Sequence, residues 1–147
     1  MAVLTDAEAR RMLELLKEAL SPKSITLNKG EKASFEASST TSPDRFRIQI
    51  NRGARNEKKV EIVALPKGIP QTILELHLHP NQPHRNPDGE LVKGSHWHVY
   101  SEEYGRRWAY PALDLETDSF VDGTMAFFER FHLIRHPQIR QYDPLIP

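Results

Sequence analysis

Five of the seven histidines in this 147-residue chain fall between residues 77 and 98. Two pairs, His77 with His79 and His96 with His98, have the spacing His-x-His. In a β-strand this spacing places both rings of a pair on one face, about 6.6 Å apart along the chain. Imidazole nitrogens can exchange protons near neutral pH or bind a metal ion. The segment therefore predicts either acid–base chemistry or a metal site.

The first hypothesis is metal-independent cleavage of RNA. The reaction needs a base for the 2′-hydroxyl, an acid for the leaving oxygen and a cation for the charge on phosphate. His96 and His98 are the candidate base and acid, Tyr100 could assist them, and His84 is a further catalytic candidate. The planar guanidinium of arginine binds two phosphate oxygens at once. The candidate phosphate-binding residues are Arg45, Arg47, Arg85, Arg106 and Arg107.

The second hypothesis is a site for zinc or another divalent transition metal. Imidazole nitrogen suits such ions, and a carboxylate from Glu75 or Glu102 could add an oxygen ligand. The candidate histidine ligands are His77, His79, His96 and His98. The run His96-x-His98 with Glu102 also resembles the first half of a cupin metal motif. The histidine-containing second half of that motif is missing downstream.

A third hypothesis is a non-enzymatic module that binds a protein or nucleic acid through aromatic and basic side chains. Tyr104, Trp108 and Tyr110 are candidates for such a surface, whereas Trp97 follows the leucine pattern and is expected in the core. The remaining alternative is a solvated sheet face that carries several neutral histidines without a function.

Composition limits these hypotheses. Twenty basic and twenty acidic side chains give a formal net charge of zero, so a nucleic-acid partner would need a local basic patch. The absence of cysteine excludes disulfides and thiolate ligands. The N-terminus shows neither a signal peptide nor a membrane span, so we expect a cytoplasmic protein. RNA or an antitoxin-like protein are the expected partners.

Two segments should position the histidines. Three leucines at 74, 76 and 78 alternate with Glu75, His77 and His79, and Trp97 alternates with His96 and His98. The apolar set should face the core and the histidines the opposite side. Asn86-Pro87-Asp88-Gly89 fits a type I turn and suggests that the two strands form a hairpin. Pairing centred on this turn would set His79 opposite His96 and His77 opposite His98.

The rest of the chain predicts one α+β domain with a core over residues 1–137 and an extended tail over 138–147. A capping box at Thr5 and Glu8 begins a helix that Ser21-Pro22 should end. Residues 25–27 and 33–37 should form a hairpin, and residues 45–51 an amphipathic strand. A last helix is expected over 122–135, with Asp122 as its cap. The sheet between the helices should be curved and mainly antiparallel, with five to seven strands.

Residues 83–89, 94–100 and 104–111 carry the pattern PHRNPDG, GSHWHVY and YGRRWAYP. This pattern resembles an uncharacterised family of small bacterial and phage domains of unknown function. More distantly, histidines on a small sheet behind an N-terminal helix are similar to those of RelE-like toxins. The second resemblance implies a ribonuclease of toxin type.

Overall fold

The computed structural model describes residues 4–56, 58–115 and 119–141. Within these ranges the chain forms two helices and twelve strands: α1 (Asp6–Glu14), β1 (Lys17–Glu18), β2 (Ser24–Thr26), β3 (Lys32–Ser39), β4 (Arg45–Arg52), β5 (Val60–Pro66), β6 (Leu74–Leu78), β7 (His84–Arg85), β8 (Leu91–Val92), β9 (His96–Val99), β10 (Ala109–Pro111), α2 (Phe120–Arg130), β11 (Leu133–Arg135) and β12 (Gln138–Arg140).

Eight strands form the main sheet, in the order β10-β9-β6-β5-β4-β3-β1-β11. Every neighbouring pair is antiparallel except β1 with β11, which is parallel. The predicted α+β class, with a helix near each end and a mainly antiparallel sheet, is confirmed. The main sheet has one strand more than the predicted maximum of seven.

The core lies between one face of this sheet and α2. On β4, Phe46, Ile48 and Ile50 are fully buried while the alternate residues Arg45 and Arg47 are exposed, as the polarity pattern predicts. Three aromatic pairs join α2 and its C-cap residue Phe131 to the sheet, with ring centroids 5.4–6.2 Å apart. These pairs are Phe128 with Phe35, Phe131 with Phe46, and Phe127 with Trp97.

Helix α2 lies directly on strand β6. A Cβ atom added at Gly123 of α2 would collide with the Cδ1 atom of Leu78 at the end of β6. A larger residue at position 123 would require the end of the Leu78 side chain to move. Gly123 therefore allows α2 to pack closely on the core side of the strand that carries His77.

Helix α1 begins as predicted, with the reciprocal Thr5 and Glu8 capping bonds both present. Its predicted end at Ser21-Pro22 is wrong, because the helix stops at Glu14 and residues 17–18 form β1. The reason lies in Lys17, which is fully buried and donates from Nζ to three carbonyl oxygens at 2.7–3.2 Å. These carbonyls belong to Leu13, Leu15 and Phe131, at the ends of the two helices.

Helix α2 also differs from its predicted range of 122–135. Ser119 caps it by accepting a bond from the Asp122 amide, so the helix begins before the predicted cap. It ends at Arg130, and His132 adopts a positive φ of 59° that turns the chain into β11. Because β11 pairs with β1, residues 133–135 form a strand and not the last part of the helix that periodicity predicted.

The predicted hairpin of residues 25–27 with 33–37 is also wrong. Strand β2 pairs in parallel with β12 in a separate two-stranded sheet, while β3 pairs with β1 and β4. Ile25 and Ile139, opposite each other in this small sheet, are both buried in the core. The beginning of the predicted tail is thus a paired strand, and residues 142–147 lie outside the described ranges.

Replacement of Lys17 by methionine tests the link between the two helix ends. Burial lowers the pKa of Lys17 to about 7, so its three carbonyl acceptors replace only part of the lost hydration of the amino group. Methionine keeps the volume but leaves three carbonyls without this donor. We expect the free energy of unfolding in urea to fall by about 1–3 kcal/mol. Lys23→Met, at an exposed position, is the control, and equal stability of the two variants would contradict the role.

Candidate functional site

Antiparallel pairing of β6 with β9 brings the histidines together. His77 lies opposite His96, and Glu75 lies opposite His98, all on the sheet face away from the core. Trp97 and the leucines of β6 are buried on the core face, which confirms the predicted division of the two faces. The predicted register, with His77 opposite His98, is shifted by two residues. A shift of two keeps every side chain on its own face.

A small hairpin covers this polar face. Strands β7 and β8 pair with each other, so the Asn86-Pro87-Asp88-Gly89 turn joins them instead of joining β6 directly to β9. The Asn86 side chain donates to the Ala109 carbonyl at 3.0 Å and accepts from the Ala109 amide at 2.7 Å. These two bonds attach the hairpin to β10. As a result, Glu75, His96 and His98 are buried, which contradicts the alternative of a solvated face at these residues.

The three histidines His77, His96 and His98 form a compact group, named the histidine triad below. Their ring centroids are 4.9–5.1 Å apart, and one nitrogen from each lies within 4.8 Å of the others. A tetrahedral zinc ion with bonds of about 2.0–2.1 Å holds its nitrogen ligands about 3.3 Å apart. Side-chain rotations that shorten each separation by about 1.5 Å at most would therefore close the triad around an ion. The triad could hold a metal ion.

The hydrogen bonds of the triad leave nitrogen atoms available. His96 donates from Nδ1 to the Gly94 carbonyl at 2.9 Å, because a carbonyl can only accept, and its Nε2 is therefore the lone-pair nitrogen. His98 Nδ1 and His77 Nε2 are buried and have no hydrogen-bond partner within the described ranges. Buried polar atoms normally have a partner. Both atoms are therefore available to a ligand that enters the cluster.

Burial favours the neutral forms of His96 and His98. Loss of hydration, aided by repulsion from His77, lowers the pKa of His98 to about 4. Burial also lowers the pKa of His96, and its bond to Gly94 only partly opposes this effect. A neutral imidazole presents the lone pair that a metal ion requires, whereas a protonated ring would repel the ion.

Glu75 supplies the negative charge next to the triad. Burial acts to raise the pKa of its carboxyl, but contacts with His77 and Arg106 outweigh burial and hold the pKa below its usual value. Arg106 binds both carboxylate oxygens, through Nε and Nη2, at 2.6 Å each. The Oε1 atom also lies 3.6 Å from His77 Nε2. Glu75 is therefore placed to orient His77 or to act as an additional oxygen ligand.

An open cleft of about 360 Å³ leads from the triad to solvent. His84, Arg106 and Arg107 line it together with the triad. The His84 ring lies 4.8 Å from the His98 ring, and its Nε2 donates to the Arg107 carbonyl at 2.7 Å. Of the residues predicted from sequence, the fold therefore brings His77, His84, His96, His98, Arg106 and Arg107 to one place.

Four other predicted residues lie elsewhere. Tyr100 follows the end of β9 and is buried, and its hydroxyl donates to the Leu4 carbonyl at 2.6 Å. Arg45 and Arg47 line other depressions on β4, two strands from β6. Arg85 donates to the Gly89 carbonyl inside its own hairpin. Tyr100 and Arg85 thus have structural partners elsewhere, and none of the four residues lines the cleft.

His79 and Glu102 do not join the triad either. Strand β6 ends at Leu78, and His79 has a positive φ of 47°, which breaks the strand alternation that predicted it beside His77. The Glu102 amide binds the Asp6 carboxylate on a different part of the surface. The contributions of Asn86 and Gly94, by contrast, were missed. The turn sequence containing Asn86 was the one signal that could have revealed the covering hairpin.

A family model described as a family of unknown function, DUF6978, matches residues 4–133. The chain belongs to this family. The match confirms the resemblance to an uncharacterised family, while the RelE-like analogy stays a prediction. No curated protein and no solved structure matches the chain. Within residues 4–56, 58–115 and 119–141, neither helix has the length and apolar character needed to cross a membrane.

The low pKa of His98 predicts acid sensitivity of the metal-free protein. In the unfolded chain His98 protonates near its ordinary pKa of 6.5, but in the folded protein only near 4. The unfolded state binds more protons between these values, so the free energy of unfolding falls as pH falls from 6.5 to 4. We expect His98 to contribute about 1–3 kcal/mol to this loss. Between pH 6.5 and 4.5, the free energy of unfolding in urea should decrease less for His98→Gln than for the wild-type protein. An equal decrease in both proteins would contradict the low pKa of His98.

Proposed function

We propose that this protein binds one divalent transition-metal ion, with zinc as the first candidate, through His77, His96 and His98. The observation that carries this proposal is the grouping of three imidazole nitrogens within 4.8 Å of one another on adjacent strands. Three histidines are an established ligand set for zinc. The ion would also contact His77 Nε2 and His98 Nδ1, which make no hydrogen bond within the described ranges.

The surroundings of the triad support this function. Metal-binding histidines usually donate their second nitrogen to a carbonyl or carboxylate, which fixes the ring orientation. The bond from His96 to Gly94 has this form, and the Glu75 carboxylate, 3.6 Å from His77 Nε2, would lie close to the ion. Both Glu75 oxygens bind Arg106, so the carboxylate is itself held in place.

The arrangement favours a reactive site over a purely structural one. A structural zinc ion normally has four protein ligands, whereas a catalytic one has three and an open position for water or substrate. The triad supplies three nitrogens, and the cleft of about 360 Å³ lies on its open side. A metal ion in this position would lower the pKa of a bound water toward 7 and supply a nucleophile.

Elemental analysis of protein purified without a histidine tag tests the metal proposal. We expect one zinc or other transition-metal ion per chain, or uptake of one zinc ion per chain after chelator treatment. His77→Ala, His96→Ala and His98→Ala should each lower affinity by at least tenfold, because each removes a ligand. His136→Ala is the matched control, since this histidine packs on Phe128. A wild-type protein that neither contains nor takes up one metal ion per chain would refute the proposal.

A second candidate function is metal-independent cleavage of RNA by His96 and His98. The observation in its favour is that Arg106 and Arg107 line the same cleft as these two histidines. Acid, base and cation would then lie within one site. The low pKa of His98 argues against its service as a proton donor near neutral pH, which is why this function ranks second.

Incubation with single-stranded RNA in excess chelator separates the two functions. The second candidate predicts that cleavage continues without metal and falls at least 100-fold in His96→Gln and His98→Gln, because each lacks a proton-transfer group. His136→Gln should cleave like the wild-type protein. Cleavage that stops in chelator, or that persists in both active-site variants, would exclude metal-independent catalysis by these histidines.

A further inference from the structure

The charge of the cleft is the starting point for an inference about its ligand. Two guanidinium groups, of Arg106 and Arg107, line the cleft, and no carboxylate is among the lining residues that the structure describes. The nearby Glu75 carboxylate is buried and bound to Arg106, so it neutralises that arginine. The charge of Arg107 remains, and a divalent ion in the triad would add two further positive charges.

Arg107 lines the cleft. Contacts hold its Nε atom and its backbone carbonyl in place, but they do not involve its two terminal Nη atoms. Its Nε donates to the Tyr104 carbonyl at 3.2 Å, and its guanidinium lies 5.9 Å from the Tyr104 ring centroid. The Arg107 carbonyl accepts a bond from His84, which joins this part of the backbone to the covering hairpin. Both Nη atoms have no hydrogen-bond partner within the described ranges, so they are available to a ligand.

We propose that the cleft binds a phosphate-type oxyanion, such as the phosphate of a phosphoric ester. One oxygen would occupy the open metal position, and the Nη atoms of Arg107 would hold another. The first of these contacts rests on the metal function proposed above, whereas the second depends on Arg107 alone. A guanidinium fork matches two phosphate oxygens, and a tetrahedral anion can contact a metal and an arginine at the same time.

The position of the other arginines supports this choice of site. Arg45 and Arg47 line depressions that contain none of the triad histidines. Arg85 is engaged inside its own turn. Among the arginines that the sequence suggested for phosphate binding, Arg107 therefore combines a place beside the triad with unoccupied terminal nitrogens. Arg106 instead acts as a positioning residue, since it fixes the Glu75 carboxylate.

Titration with inorganic phosphate tests the inference on the full chain. The protein is prepared in zinc-loaded form, freed of unbound zinc, and in chelator-treated form, and binding is followed by calorimetry. We expect phosphate to bind the zinc form at least tenfold more tightly than the metal-free form. Arg107→Gln should weaken binding at least tenfold in both forms while keeping one zinc ion per chain. Arg10→Gln, which removes the same charge from exposed α1, should stay within twofold of the wild-type affinity.

Two further measurements make the outcome decisive. In protein loaded with cobalt(II) in place of zinc, phosphate should change the visible absorption of the ion, because an oxygen enters its coordination sphere. Acetate at the same concentration should bind at least tenfold more weakly than phosphate. Equal binding of acetate, an unchanged cobalt spectrum, or wild-type affinity in Arg107→Gln would overturn the inference.

The two proposals fail in different ways. If the wild-type chain takes up no metal, the metal function is refuted, and the titration of the metal-free form still decides whether Arg107 binds phosphate. If the chain binds one metal ion but phosphate binds neither form, the oxyanion inference is overturned and the metal function stands. Loss of zinc from Arg107→Gln would also overturn it, since Arg107 would then support the metal site and not the anion.

Discussion

The pairing of β6 with β9 is the interaction on which the candidate site depends. Main-chain hydrogen bonds between these strands place His77 opposite His96 and keep His98 on the same face. On the other face, Trp97 packs on Phe127 of α2, and Leu78 lies against Gly123 of the same helix. A slip of one residue would move the imidazoles into the aliphatic core and the leucines onto the polar face, so burial of the leucines fixes the place of the histidines.

The covering hairpin turns a polar sheet face into a buried site. A face of histidines and a glutamate exposed to water would titrate like free side chains. Beneath β7 and β8, burial lowers the pKa of His98 to about 4, so its ring is neutral above that pH. Glu75 remains ionised because its contacts with His77 and Arg106 outweigh the effect of burial. Burial thus favours neutral rings at His96 and His98 with one carboxylate nearby, an environment that would suit the proposed cation.

Local sequence signals predicted where elements begin better than where they end. The Thr5 capping box requires only residues within four positions of each other, and the structure contains it. The ends of both helices depend on partners more than 100 residues away. Lys17 reaches the Phe131 carbonyl, and β1 pairs with β11. Helical periodicity in one segment contains no information about such distant partners, so both predicted helices were too long at their C-terminal ends.

By itself the sequence determined which face of each strand carries the histidines, because alternation of leucine and histidine has the period of a strand and needs no knowledge of the partner. It also determined that no thiolate takes part, since the chain lacks cysteine.

The tertiary structure alone decided the register, the exclusion of His79 and Tyr100, and the choice of Arg106 and Arg107 over Arg45 and Arg47. These outcomes depend on strand order, on a positive φ at His79, and on a hairpin tied to β10 by Asn86. Strand order and the Asn86 bonds are contacts between segments far apart in the chain, and the bend at His79 lies where β6 ends. Residue spacing within one segment does not encode any of them.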